Sequence, residues 1–128
     1  MALKDQLKTL VVDDTSVSRA LIIDGLQTIG LKQISIAKDG AQALTAMKAS
    51  PCHLVISDLN MPNLDGIGLL KGLRQHPPTA RVGFILVTGK SDKAIIDQAR
   101  QFGLNNYLAK PFTVAALKAS IEAVVGKL

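Results

Sequence analysis

Leu54-Val55-Ile56-Ser57-Asp58 decides the fold, because an uninterrupted apolar run ends abruptly in a carboxylate. A run this short, with no polar alternation, reads as a strand buried on both faces, the mark of a parallel sheet flanked by helices. Three further stretches repeat the pattern. Leu10-Val11-Val12 runs into Asp13-Asp14, Phe84-Ile85-Leu86-Val87 into Thr88, and Tyr107-Leu108-Ala109 into Lys110-Pro111. Open α/β sheets hold their sites just beyond the carboxyl ends of their strands. One edge of such a sheet gathers three carboxylates, a hydroxyl and an ammonium.

Between these runs the apolar spacing becomes helical. The spacing predicts a strand over Thr9–Val12, a helix over Ser16–Ile29 capped by Thr15 or Ser16 and closed by Gly30, and a short strand at Ile34–Ala37. Ala43, Leu44 and Met47 make one face of a second helix, which Ser50-Pro51 closes. After Leu54–Ser57, the stretch Asp58-Leu59-Asn60-Met61-Pro62-Asn63-Leu64-Asp65-Gly66 reads as an ordered loop, with Asp65 capping a helix that stops before Pro77-Pro78. A strand at Val82–Val87, a helix from Asp92 to Phe102 ended by Gly103, a strand at Asn106–Ala109 and a helix from Thr113 complete the series. The expectation is an α/β fold of (βα)5 type, doubly wound, with a five-stranded parallel sheet and helices on both faces. From its 128 residues a single domain is expected, 1–128, without an effector domain.

Composition narrows the function. Hydrophobic residues are 48% and charged residues 20%, as in a globular protein, and no apolar stretch is long enough to span a bilayer. The start Met1-Ala2-Leu3-Lys4-Asp5-Gln6 does not resemble a secretory signal, so a cytoplasmic protein is expected. The net charge of +5 comes from scattered lysines and arginines, which argues against direct nucleic-acid binding. Cys52, the single cysteine, and His53 beside it have no further ligands at metal spacing; both read as structural, and His76 as solvated.

The edge residues point to phosphoryl chemistry. Two carboxylates about 4 Å apart repel by about 4 kcal/mol at an effective dielectric near 20, so Asp13, Asp14 and Asp58 need a cation between them. Mg2+ suits few carboxylates, retained water and an incoming phosphate. Asp58, ending the central run, is the expected nucleophile, forming an aspartyl phosphate, with Asp13 and Asp14 as a metal-holding pair. Thr88 offers a hydroxyl and an N–H to a phosphoryl oxygen, Gly89 leaves space beside it, and Lys110 adds a second positive group. Any one of these alone could be a helix cap or a turn residue; their shared position at strand ends favours a site.

Leu10-Val11-Val12-Asp13-Asp14, Val55 through Gly66, Val87-Thr88-Gly89 and Tyr107-Leu108-Ala109-Lys110-Pro111-Phe112 together resemble the receiver domains of two-component response regulators. The resemblance is closest to stand-alone chemotaxis regulators of the CheY type, and it covers the whole chain. It implies a flavodoxin-like fold and a phosphoryl group accepted on Asp58 from a sensor histidine kinase. Mg2+ would be held by Asp14, Asp58 and the Asn60 backbone carbonyl, with Asp13 acting through water. Lys110 would bind a phosphoryl oxygen, and the bond to Pro111 would be cis. Thr88 and Tyr107 would form a switch that reshapes the face of the fourth helix, fifth strand and fifth helix. The implied partners are the kinase, an output protein such as the flagellar motor switch, and a phosphatase, met by a monomer. Lys90 and Leu59 depart from the best-known chemotaxis member, which has an acidic residue and a tryptophan there. Lys90, near the entrance, bears on dephosphorylation or partner choice. Arg19, Lys93 and Lys118 read as solvated.

Within the family, a phosphate sink or phosphorelay intermediate is the alternative. Outside it, a haloacid dehalogenase-type phosphohydrolase wants an acid two residues after the nucleophile, where Asn60 stands and cannot donate a proton. A nucleotide-binding enzyme fits no better, because Gly66-Ile67-Gly68 misses the glycine spacing and no Walker-type lysine follows. The expected protein is not an enzyme in the ordinary sense: it catalyses only its own phosphoryl transfer and dephosphorylation.

Overall fold

The computed structural model describes residues 3–89 and 93–128. Among them the chain forms β1 Lys8–Val12, α1 Ser16–Ile29, β2 Gln33–Ala37, α2 Gly40–Ala49, β3 Leu54–Asp58, α3 Gly66–Gln75, β4 Gly83–Thr88, α4 Lys93–Gln101, β5 Asn106–Ala109 and α5 Val114–Val125. A four-residue helical turn, Leu3–Gln6, precedes β1, and a 3-10 turn, Pro77–Thr79, follows α3; neither was expected from the sequence pattern. The N-cap expected at Asp92 and the position of Lys90 lie outside the described residues.

All strands are parallel, in the order β2-β1-β3-β4-β5. This is the flavodoxin-like order. The chain steps from β1 outward to β2 and then crosses back to β3, so the strand order reverses between β1 and β3. Connections leave that point in opposite directions, opening a crevice beyond the carboxyl ends of these two strands. Asp13 and Asp14 follow β1 directly, and Asp58 ends β3.

The apolar runs supply two cores, because successive strand residues point to opposite faces. Leu10, Val12, Val55, Phe84 and Leu86 face α2, α3 and α4 through Met47, Leu69, Leu70, Leu73 and Ala99. Val11, Leu54, Ile56, Ile85 and Val87 face α1 and α5 through Ile22, Leu26, Leu117 and Ile121. Burying each such side chain contributes about 1.5–3 kcal/mol, which holds β1, β3 and β4 as a rigid base for the edge residues.

The punctuation mostly acts as expected. Gly30 closes α1 in the left-handed region at φ 106°. Asp65 caps α3 by accepting from the Gly68 N–H at 2.8 Å, and Thr113 caps α5 by accepting from the Ala116 N–H at 3.0 Å. Thr15 occupies the cap position of α1, but its side chain makes no capping bond. Its own N–H donates instead to Asp13 Oδ1 at 2.9 Å, so α1 begins tied to the acidic pair.

Arg74, at the end of α3, is a tie that the sequence pattern did not reveal. Its guanidinium donates to Val82 O at 2.7 Å, Ala80 O at 3.2 Å, Gly103 O at 3.0 Å and Asn105 Oδ1 at 2.8 Å. Asn105 Oδ1 also accepts from the Phe84 N–H at 2.8 Å. One side chain thereby joins α3, the approach to β4 and the turn into β5. Burial pulls the Arg74 guanidinium down from its ordinary pKa.

Candidate phosphoryl and metal site

The carboxylates converge. One oxygen from each of Asp13, Asp14 and Asp58 lies within 4.8 Å of the others. Asp13 is fully buried, Asp58 is half-buried and Asp14 is exposed, so the group forms a pocket with an open rim. Asp13 Oδ1 is occupied by the Thr15 N–H, while Oδ2 is buried without a hydrogen-bond partner. Asp58 Oδ1 accepts from the Leu59 N–H at 3.0 Å.

Lys110 enters from β5. Its backbone N–H donates to Thr88 O at 2.8 Å, and the Lys110–Pro111 bond is cis. The ammonium lies 3.4 Å from Asp58 Oδ1 and 3.8 Å from Asp13 Oδ2. Its shortest contact is to Ser18 Oγ on α1, at 2.8 Å. Burial pushes the Asp58 carboxyl above its ordinary pKa; Lys110 opposes that rise, Asp13 adds to it, and the Leu59 N–H reduces it.

The loop beyond Asp58 is held at both ends. The Leu59 N–H donates to Val87 O at 3.1 Å, and the Gly66 N–H returns to Leu59 O at 2.9 Å. A Cβ on Gly66 would stand 2.5 Å from Asp58 O, so only glycine allows this close return beneath the carboxylate. Farther along, Asn63, at φ 68°, donates to Asp39 Oδ2 at 2.9 Å, and the Gly40 N–H donates to Leu64 O at 3.0 Å. Asp39 Oδ1 also caps α2 through the Gln42 N–H. These bonds, led by the one from Gln42, hold the Asp39 carboxyl below its ordinary pKa.

Asp13, Asp14, Asp58 and Lys110 are thus brought together. Thr88 ends β4 and is buried, and a Cβ on the neighbouring Gly89 would meet nothing within 4 Å among the described residues. Asn60 lies two residues past Asp58 in an exposed part of the loop. Tyr107 stands apart from the carboxylates, half-buried on β5, where it lines a cleft with Lys93, Ile96, Asp97 and Arg100. Leu59 is buried in the core.

Arg19 corrects an expectation. It was read as solvated, yet its guanidinium donates to Asp13 O at 2.8 Å, so α1 grips the strand end carrying the acidic pair. Lys93 and Lys118 are exposed, as expected. His53 is structural: its Nδ1 accepts from the Lys8 N–H at 2.9 Å. Burial raises the Cys52 thiol, which suits a structural cysteine rather than a reactive one. Ser18 is the site residue that sequence reading missed, because nothing local marks a helical serine as the neighbour of a lysine 92 positions away.

A divalent cation fits this donor set. The oxygens are hard and anionic, they lie close enough to share one ion, and Asp13 Oδ2 is a buried oxygen lacking a partner.

Known proteins share the sequence and the architecture. A Rhizobium etli protein named probable chemotaxis protein CheY is 48% identical over 128 residues, covering 100% of this chain and 99% of that one. The crystallized Vibrio cholerae chemotaxis protein CheY4 superimposes with a TM-score of 0.85 at 26% identity, over 92% of this chain and 98% of that chain. The receiver domain of a Pseudomonas aeruginosa sensor histidine kinase, solved with a magnesium ion in its active-site cleft, has a TM-score of 0.85 at 27% identity over 94% and 98% of the two chains. Residues 9–122 match the response regulator receiver domain, and the chain belongs to that family.

Proposed function

We propose that this protein is a phosphorylation-controlled binding module that accepts a phosphoryl group on Asp58 from a phosphohistidine of a sensor kinase. The observation that carries the reading is the convergence of Asp13, Asp14 and Asp58 on one small volume with Lys110 at its rim. In the transfer a carboxylate oxygen of Asp58 attacks phosphorus, and the P–N bond breaks with its electron pair leaving on the imidazole nitrogen. Lys110 neutralises charge on a transferring oxygen, and Thr88 donates to another. Asp14, Asp58 and the Asn60 carbonyl would hold Mg2+, with Asp13 acting through water. When bound, the cation neutralises charge on the carboxylates and the phosphoryl oxygens.

The signal is a changed surface. Thr88 responds to the new charge, Tyr107 repacks, and the α4–β5–α5 face changes its affinity for an output protein. The 48% identical relative named as a chemotaxis protein supports a place in chemotaxis, with a flagellar motor switch protein as the output partner. The domain then works in the cytoplasm as a monomer, and its only catalysis is its own phosphorylation and dephosphorylation, the latter aided by a phosphatase. Incubation with a phosphorylated kinase or a small phosphodonor and Mg2+ tests the reading. The expected result is labelling of the native protein and none of Asp58→Asn; label retained by the variant overturns the assignment. A pull-down with beryllofluoride-treated protein separates a motor regulator, which retains its output partner, from a phosphate sink, which retains only kinase components.

A further inference from the structure

Ser18 stands in the first turn of α1, and its hydroxyl takes the shortest contact of the Lys110 ammonium, 2.8 Å, although two carboxylates lie beside it at 3.4 and 3.8 Å. An ammonium free to choose would favour a charged acceptor over a neutral hydroxyl. The arrangement is therefore set by where the two side chains are mounted. α1 is tied to Asp13 by the Thr15 N–H and the Arg19 guanidinium, and the Lys110 backbone is tied to Thr88 O. Both partners are anchored before their side chains meet. The consequence appears at Asp13, where Oδ2 is buried and close to the ammonium yet unbonded.

We propose that Ser18 is a positioning residue for Lys110, holding the ammonium at the rim of the pocket so that its bond to Asp58 Oδ1 stays long, at 3.4 Å, and Asp13 Oδ2 stays open to a divalent cation. The proposal rests on the phosphoryl-site reading above and adds to it a control on how the two cations, lysine and metal, share three carboxylates. Without the hydroxyl, the ammonium swings onto Asp13 and Asp58 and competes with the metal.

Calorimetric or NMR titration with Mg2+ alone tests this on the native protein, Ser18→Ala, Ser18→Thr, Lys110→Ala and the Ser18→Ala/Lys110→Ala double variant. Loss of one charge-assisted hydrogen bond predicts roughly tenfold weaker Mg2+ binding in Ser18→Ala. Ser18→Thr, which keeps the hydroxyl, restores most of the affinity. In the Lys110→Ala background, removing Ser18 changes affinity by less than about twofold, since no ammonium remains to be placed. A merely helical role for Ser18 would weaken binding in both backgrounds, and that outcome overturns the proposal. So does native-like affinity in Ser18→Ala. A native protein that binds no Mg2+ at any accessible concentration removes the site reading and this proposal together, whereas normal native binding with an indifferent Ser18 removes the proposal alone.

Discussion

Asp13→Asn is expected to stabilise the metal-free protein while weakening its response to Mg2+. The carboxylate is fully buried, within 4.8 Å of the oxygens of Asp14 and Asp58, and 3.8 Å from the Lys110 ammonium. At an effective dielectric near 20, repulsion from Asp58 is about 3.5 kcal/mol and attraction to Lys110 about 4.4 kcal/mol, and solvent at the open rim shrinks both. These two terms nearly cancel, and Asp14, exposed to solvent, adds a smaller, screened repulsion. What remains is the burial of a charge whose Oδ2 has no hydrogen bond, a situation that costs about 1–3 kcal/mol. Asparagine keeps the acceptor for the Thr15 N–H and removes the buried charge, at the loss of the attraction to the Lys110 ammonium 3.8 Å away. A net gain of about 1–2 kcal/mol follows, raising the melting temperature by roughly 3–10 °C in a domain of this size. Urea and thermal unfolding in EDTA measure it. Added Mg2+ then stabilises the native protein by about 2.7 kcal/mol at a hundredfold excess over Kd, with a smaller gain for the variant. If Asp13→Asn is no more stable in EDTA, or gains as much from Mg2+ as the native protein, the account of a strained pocket awaiting a cation is wrong.

Arg74→Ala is expected to destabilise by about 2–4 kcal/mol, because its charged donors serve oxygens on two segments, the approach to β4 and the turn into β5, and Arg74→Lys recovers only part of the loss; an unfolding midpoint within error of the native one would show that the tie contributes nothing. Asp39 links stability to acid. Its folded-state pKa is depressed, so its contribution is fully present above the unfolded carboxylate pKa and disappears as pH falls through the folded value. Asp58, raised by burial, acts in the opposite sense. Asp39→Asn should therefore flatten the acid loss of stability below about pH 4, and denaturation curves as steep in pH as those of the native protein would refute it.

The elements were legible because their signals are local. An apolar run too short for a helix, a glycine after α1, an aspartate before α3 and a proline after it each act on the few residues around them. The acidic pair, Asp58, Thr88 and Lys110 were legible for a related reason: parallel strands expose their carboxyl ends on one side, so chemistry placed at those ends converges whatever the order of the strands. Thr15 misled, because a hydroxyl at a cap position suggests a capping bond, whereas Asp13 engages its backbone instead. Arg19 misled because a helical arginine reads as solvated until the strand end beneath it is known.

Sequence alone determined the alternation of strands and helices, their approximate bounds and the residue types at the edge, since these follow from periodicity and backbone preference. Tertiary structure decided that β1 lies between β2 and β3, opening the crevice between Asp13 and Asp58. It also decided that Arg74 reaches Gly103, that Asn63 reaches Asp39, and that Ser18 rather than a carboxylate takes the nearest place at Lys110. Each of these contacts joins residues far apart in the chain, and no local propensity sets their separation; it is set by how two faces of helices pack on one twisted sheet.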